Sequence, residues 1–122
     1  MQVRKLLNLR VFDEPATGKR WHKSVSDLGL EILCVSQFTL YHVLKGNKPD
    51  FHLAKSPAEA KEFYEAFLSE LRAAYATEKE KDAELMDRVK DGKFGAMMSV
   101  DIVNDGPVTL ELESPPKRQD LR

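Results

Sequence analysis

One helix constrains the fold of this chain more than any other segment. Ser56 offers an N-cap oxygen, Pro57 occupies the first helical position where its missing N–H costs nothing, and Glu59 completes a capping box. Apolar residues then recur at Ala60, Phe63, Tyr64, Phe67, Leu68, Leu71 and Tyr75, the i, i+3, i+4 rhythm of a helix with one dry face. A face of that kind has to be buried against other elements of the same chain.

The segments before the helix supply candidates. Leu6, Leu7, Leu9, Val11 and Phe12 form an early apolar cluster; residues 1–8 read as the last turns of a helix and residues 9–12 as a short strand. Residues 13–19 are rich in turn formers and read as a loop, and residues 24–29 as a second turn. Residues 30–40 are rich in β-branched and aromatic side chains, beginning as a continuous apolar run and ending in alternation, and read as a strand buried on both faces. Gly46 and Pro49 mark residues 45–50 as a loop. After the helix, residues 77–91 are charge-dense and read as a helical extension or a surface insertion. Residues 95–103 and 108–112 read as strands joined by a tight turn at Asn104-Asp105-Gly106-Pro107. The expectation is an α+β fold, one domain over residues 1–114 with a charged tail over residues 115–122.

At 122 residues, 42% hydrophobic and 32% charged, the chain has material for one modest core and is neither disordered nor collagenous. Its one cysteine, Cys34, cannot form an internal disulfide, which fits a reducing, cytoplasmic setting. No apolar run approaches the ~18–20 residues that a spanning helix needs, so no membrane is expected as partner. The net charge of -1 conceals an asymmetry. Residues 1–56 hold nine Lys/Arg against five Asp/Glu, and residues 57–122 ten against fifteen, so a polyanion can still meet a basic face.

Familiar catalytic constellations are missing. His22, His42 and His52 lack the spacing of a helical metal pair, Cys34 has no cysteine neighbour, and no metal or cofactor is expected. Cys34, mid-strand between Leu33 and Val35, reads as a buried apolar residue. Trp21 beside Lys19, Arg20 and Lys23 has the composition to stack on a base, although capping the core is the preferred reading. Two segments hold more chemistry. In Ser36-Gln37-Phe38-Thr39-Leu40 an apolar strand turns polar, as at a strand end or a ligand site. In Asn104-Asp105-Gly106-Pro107-Val108-Thr109 a proline follows a hairpin-like Asp-Gly, where it cannot donate to a resuming ladder.

These segments, with residues 5–12, 35–40, 45–51, 91–96 and 104–109 taken as five blocks in order, resemble the D-aminoacyl-tRNA deacylases, also called D-tyrosyl-tRNA deacylases. The block spacing is most similar to the eukaryotic members. The resemblance implies a homodimer with a cross-subunit active site, built on a mixed or antiparallel barrel-like sheet with one long amphipathic helix. It implies hydrolysis of the ester joining a D-amino acid to the terminal adenosine of tRNA, with glycyl esters also accepted. Ser36, Gln37, Phe38 and Thr39 then form the catalytic segment, and Leu40, Phe94, Gly95 and Ala96 the substrate pocket. Gly106-Pro107, cis in that family, enters the partner's pocket and rejects L-amino acids through its carbonyls. Lys45 and Lys48 are the expected tRNA contacts.

An aminoacyl ester is already activated, so orienting water and stabilising the oxyanion suffice, and backbone N–H groups near Phe38 and Thr39 can do the latter. The resemblance gives the tRNA's own ribose hydroxyl a catalytic part. Thr39 as a covalent nucleophile ranks lower, because no base is placed beside it in the sequence. The chain departs from the family in two respects. The family's opening strands and most of its first helix have no counterpart before Lys5, and residues 76–88 resemble an insertion. The rival expectation is therefore a catalytically silent nucleic-acid-binding or dimerisation module.

Overall fold

The computed structural model describes residues 2–78 and 83–114. The expected tail over 115–122 and the middle of the charged stretch lie outside the described residues. The chain begins with helix α1 (Val3–Asn8), as its apolar cluster predicts, and Val3 and Leu7 are buried. Residues 9–12 do not form a strand; only Phe12 makes an isolated antiparallel bridge, to Lys23. Residues 24–29, expected as a turn, hold the one-turn helix α2 (Val25–Leu28). Ser24 and Asp27 close a reciprocal capping box at 3.0 and 2.9 Å, and Gly29 ends the helix in the left-handed conformation, φ 62°.

Strand β1 (Ile32–Cys34) is shorter than the eleven-residue strand expected, and Leu33 on its outer face is 66% exposed, so it is not buried on both faces. After Ser36-Gln37 the chain tightens into a 3₁₀ turn, Phe38–Tyr41. Residues 45–50 are not a plain loop. Strands β2 (Val43–Lys45) and β3 (Lys48–Asp50) pair antiparallel around Gly46-Asn47, and Gly46 takes φ 61°, which such a turn favours in glycine. Pro49 fits because β3 is an edge strand with no further ladder to feed.

The predicted helix is α3 (Pro57–Glu78), its first turn closed by Glu59 N–H donating to the Ser56 hydroxyl at 3.4 Å. Leu68, Leu71 and Tyr75 are buried with Val3, Leu7, Val25, Leu85 and Val89, and Tyr64, Phe67 and Ala74 pack at the margin. Phe63, expected on the dry face, is 47% exposed and instead lies under the Lys55 ammonium, 5.5 Å from its ring centre. A 3₁₀ segment (Ala83–Arg88) leads into strand β4 (Val89–Asp91), which runs parallel to β1 with Cys34 opposite Asp91. A parallel pair needs a long crossover, and α3 is that crossover.

Among the described residues the mixed pairing that the resemblance implies is thus present, with one long helix, as two separate two-stranded sheets. Residues 95–103 and 108–112 are not strands. They carry no ladder, with Met97 and Val103 almost wholly exposed, because no strand among the described residues lies alongside to pair with them.

Candidate functional site

The parallel pair fixes where the site segments begin. Both strands end at the same edge, at Cys34 and Asp91, so residues 35–40 and residues 92–96 leave the sheet side by side. The carboxyl ends of parallel strands are where open α/β sheets place their ligands. Two bonds hold this junction. The Gly92 N–H donates to the Cys34 carbonyl at 2.9 Å, extending the ladder by one step, and the Tyr64 hydroxyl donates to the same carbonyl at 3.0 Å. The Tyr64 ring also packs against Phe94, centroids 5.7 Å apart. Tyr64 therefore touches the end of β1, where the first segment departs, and Phe94 in the second; burial pushes its phenol pKa up, keeping the hydroxyl a donor. Sequence reading assigned Tyr64 only to the dry face of the helix.

Beyond Cys34, Ser36 is half-buried and Gln37 exposed, and the Gln37 side-chain amide donates to the Thr39 hydroxyl. The His42 ring nitrogen Nδ1 meets the Thr39 carbonyl at 2.8 Å and not the Thr39 hydroxyl. A threonine nucleophile would need a base on its Oγ1, and the ring nearest in sequence is engaged elsewhere. The 3₁₀ turn is closed by Leu40 N–H on the Gln37 carbonyl at 3.2 Å, and the N–H groups of Phe38 and Thr39, at its start, take no acceptor within it. Phe38 and Leu40 are 62% and 80% exposed. Cys34 packs at the margin of the core, and burial pushes its thiol pKa up, which makes it a poor nucleophile.

Phe38 meets Phe51 edge to face, ring centres 4.9 Å apart, and so ties the turn to the chain that leaves β3. Across the hairpin Lys45 lies directly opposite Lys48, which puts two cations at its tip. Asp50 balances part of that charge, with Lys45 Nζ at 3.6 Å. His52 bonds the same carboxylate through its ring and its backbone N–H, which with Lys45 holds Asp50 below the usual carboxylate range.

Four of the five sequence blocks thus occupy definite places: the first in α1 and the chain that leads from it to the Phe12–Lys23 bridge, the second and fourth at the end of the parallel pair, and the third in the hairpin. The fifth stands apart. Gly106-Pro107 is a cis peptide, as the resemblance implied, and both residues are exposed. Gly106 has φ 129°, and the atoms nearest to a Cβ built there belong to Val108. A cavity of about 430 Å³ between α1 and α3, lined by Gln2, Val3, Lys5, Glu70 and Ala73 among others, includes none of the predicted site residues. Among the described residues no group of three or more His, Cys, Asp or Glu side chains is placed to hold a metal ion, and no helix is long and apolar enough to cross a membrane.

The family model for D-Tyr-tRNA(Tyr) deacylase matches residues 1–113. The chain belongs to this family. It is 61% identical to D-aminoacyl-tRNA deacylase 1 of Bos taurus over 113 residues, 93% of this chain and 49% of that protein. It is 58% identical to D-aminoacyl-tRNA deacylase of Drosophila melanogaster over 116 residues, 95% of this chain and 66% of that protein. These relatives bear out the eukaryotic block spacing. Among solved structures it is similar to the c-Myc DNA Unwinding Element Binding Protein, with TM-score 0.78 and 61% identity over 93% of this chain and 69% of that one. The chain spans about half the length of the mammalian relatives it matches.

Proposed function

We propose that this chain carries the hydrolytic site of a D-aminoacyl-tRNA deacylase, cleaving the ester between a D-amino acid, or glycine, and the terminal adenosine of tRNA in the cytoplasm. The observation that carries this reading is that the segments holding Ser36–Thr39 and Phe94–Ala96 leave the β1–β4 pair at the same end, in a chain of this family. The acyl carbonyl lies against the start of the 3₁₀ turn. There the Phe38 and Thr39 N–H groups stabilise the oxyanion as it forms, a contribution that grows with charge on the oxygen and so favours the transition state. Water, oriented by Gln37 or by the RNA's own ribose hydroxyl, attacks. The alkoxide of the adenosine leaves and takes a proton, releasing free amino acid and tRNA. Leu40, Phe94, Gly95 and Ala96 form the wall beside the aminoacyl-adenosine, and Lys45 and Lys48 hold phosphate. The exposure of Gly106-Pro107 leaves it available to a second copy, so the reading includes a homodimer in which each copy's Gly106-Pro107 closes the other's pocket against L-amino acids.

The test is paired deacylation of D-tyrosyl-tRNA and L-tyrosyl-tRNA, with the dimer checked by sedimentation. D-Ester cleared well above the buffer rate, with L-ester spared, supports the reading. Equal clearance of both removes the role of Gly106-Pro107. Clearance of neither, with salt-sensitive RNA binding retained, replaces the enzyme by a silent nucleic-acid-binding module.

A further inference from the structure

Trp21 is the chain's only tryptophan, and it does not cap the core: it is 56% exposed. It is also the one non-glycine among the described residues with positive φ, at 55°. A bulky aromatic in the left-handed region is an outlier, and such outliers persist where the surrounding structure over-determines them, often at functional sites. The surrounding bonds do over-determine it. His22 N–H and Lys23 N–H both donate to the Phe12 carbonyl, at 3.0 and 2.9 Å, so two residues oppose one in a bulge that immediately follows Trp21. On the other side, Glu14 N–H donates to the Lys19 carbonyl at 2.8 Å and Gly18 N–H to the Glu14 carbonyl at 2.7 Å, closing the loop.

The charges around the indole are sorted as well. The Glu14 carboxylate accepts from the Ala16 N–H at 3.1 Å and pairs with Lys23 at 3.1 Å. Glu14 is thereby paired with Lys23, while Lys19 and Arg20, like Asp13, stay exposed. An exposed aromatic face next to two exposed cations is the composition that single-stranded nucleic acids use: a base stacks on the ring and the flanking phosphates meet the charges.

We infer that Trp21, with Lys19 and Arg20, is a single-stranded RNA contact separate from the Ser36–Thr39 segment, with an unpaired base stacked on the indole. The inference rests on the reading above, since it gives the same RNA substrate a second hold on the chain. It also accounts for the strained backbone: glycine would fit φ 55° without cost, and a ring that binds a base is a reason for tryptophan there.

The test uses the full chain and a single-stranded RNA octamer carrying no amino acid. Because Trp21 is the only indole, its fluorescence reports the contact directly. The octamer quenches it saturably, and a blunt-ended RNA duplex, which offers no unpaired base, does not. In filter binding, which needs no indole, Trp21→Ala weakens octamer binding by about 5- to 150-fold, the span that base–aromatic stacking supports. Lys19→Ala with Arg20→Ala lowers the slope of log affinity on log salt by about 1.4. Trp21→Gly separates binding from folding. It relieves the backbone and raises Tm while weakening RNA as much as Trp21→Ala does. Absence of quenching, equal quenching by the blunt-ended duplex, or a Trp21→Gly chain that loses Tm and keeps its RNA affinity would each overturn the inference. None of these readouts needs ester hydrolysis, so failure of the deacylase reading and failure of this contact are told apart.

Discussion

The most direct probe of how the fold holds its site is Tyr64→Phe. The substitution removes one atom, the hydroxyl that donates to the Cys34 carbonyl at 3.0 Å, and leaves the ring against Phe94. The Cys34 carbonyl retains the Gly92 N–H at 2.9 Å, so no acceptor is orphaned and the loss is that of an ordinary hydrogen bond, about 0.5–1.5 kcal/mol. Urea unfolding should show a drop of that size with an unchanged slope. If the bond also fixes the direction in which residues 35–39 leave β1, the same energy is missing from the transition state, and kcat/KM on D-tyrosyl-tRNA falls about two- to twelvefold. The fall should lie in kcat, because Tyr64 holds the strand end from which the segment departs and not the substrate. Tyr64→Leu then deletes the ring contact too, and a cycle with Phe94→Leu should return a coupling of about 0.5–1.5 kcal/mol. A Tyr64→Phe chain of unchanged stability and unchanged kcat would refute the reasoning, since the ladder bond from Gly92 would then suffice alone.

Other perturbations bear on the scaffold and the basic tip. Tyr75 is buried, and its hydroxyl proton is shared between the carbonyls of Leu30 at 2.7 Å and Val25 at 3.1 Å, so Tyr75→Phe should cost about 1–3 kcal/mol by urea unfolding. Burial raises the pKa of both Tyr64 and Tyr75, so the folded chain holds these protons more tightly than the unfolded one. The linked stabilisation is complete below the unfolded value near 10 and is lost as pH rises through the higher folded values, a decline that Tyr64→Phe should flatten in unfolding measured across that range. Ser24→Ala breaks the capping box of α2 at a residue only 2% exposed, and should lower stability by about 0.5–2 kcal/mol in the same assay. Lys45→Ala with Lys48→Ala should leave folding nearly unchanged and reduce the salt slope of tRNA binding by about 1.4–1.8, measured by filter binding from low to moderate salt.

What the sequence made legible follows the range of the physics involved. The helix α3 was readable because cap, proline and period all lie within a few turns of one another. The α2 helix was missed although its Ser24…Asp27 box is present, because four residues are too few to show a period. The strand predicted over residues 30–40 was too long: side-chain type alone gives no stop signal at Cys34, and the chain leaves the sheet there because β4 ends opposite it at Asp91. Residues 95–112 show the converse, with strand-like composition and no ladder, since β-propensity expresses itself only against a neighbour. In the site, Ser36–Thr39 and Phe94–Ala96 were found through family blocks. The contacts that join them, from Tyr64 and Gly92, cross about thirty and sixty positions, beyond the reach of any local pattern.

Those joining contacts come largely from one helix, which makes a final prediction decisive. Eight residues beyond Tyr64, Arg72 donates through Nε and Nη2 to the Val89 carbonyl at 3.3 and 3.1 Å, and Nη2 reaches the Asp91 carboxylate at 3.4 Å. The α3 helix thus grips β1 through Tyr64 and β4 through Arg72. The two contacts of Arg72 differ in weight. The ion pair is open to solvent on both sides, at 33% and 42% side-chain exposure, and surface pairs contribute about 0–1 kcal/mol. The carbonyl belongs to Val89, 2% exposed, and a hydrogen bond from a charged donor contributes about 1.5–3 kcal/mol. Asp91→Asn should therefore cost little and Arg72→Ala clearly more. Arg72→Lys should fall between them, because an ammonium cannot reproduce the two-nitrogen fork on one oxygen. If Asp91→Asn proved as damaging as Arg72→Ala, the ion pair and not the carbonyl bond would be what binds β4 to the helix, and the junction that carries the site would be a salt-sensitive one.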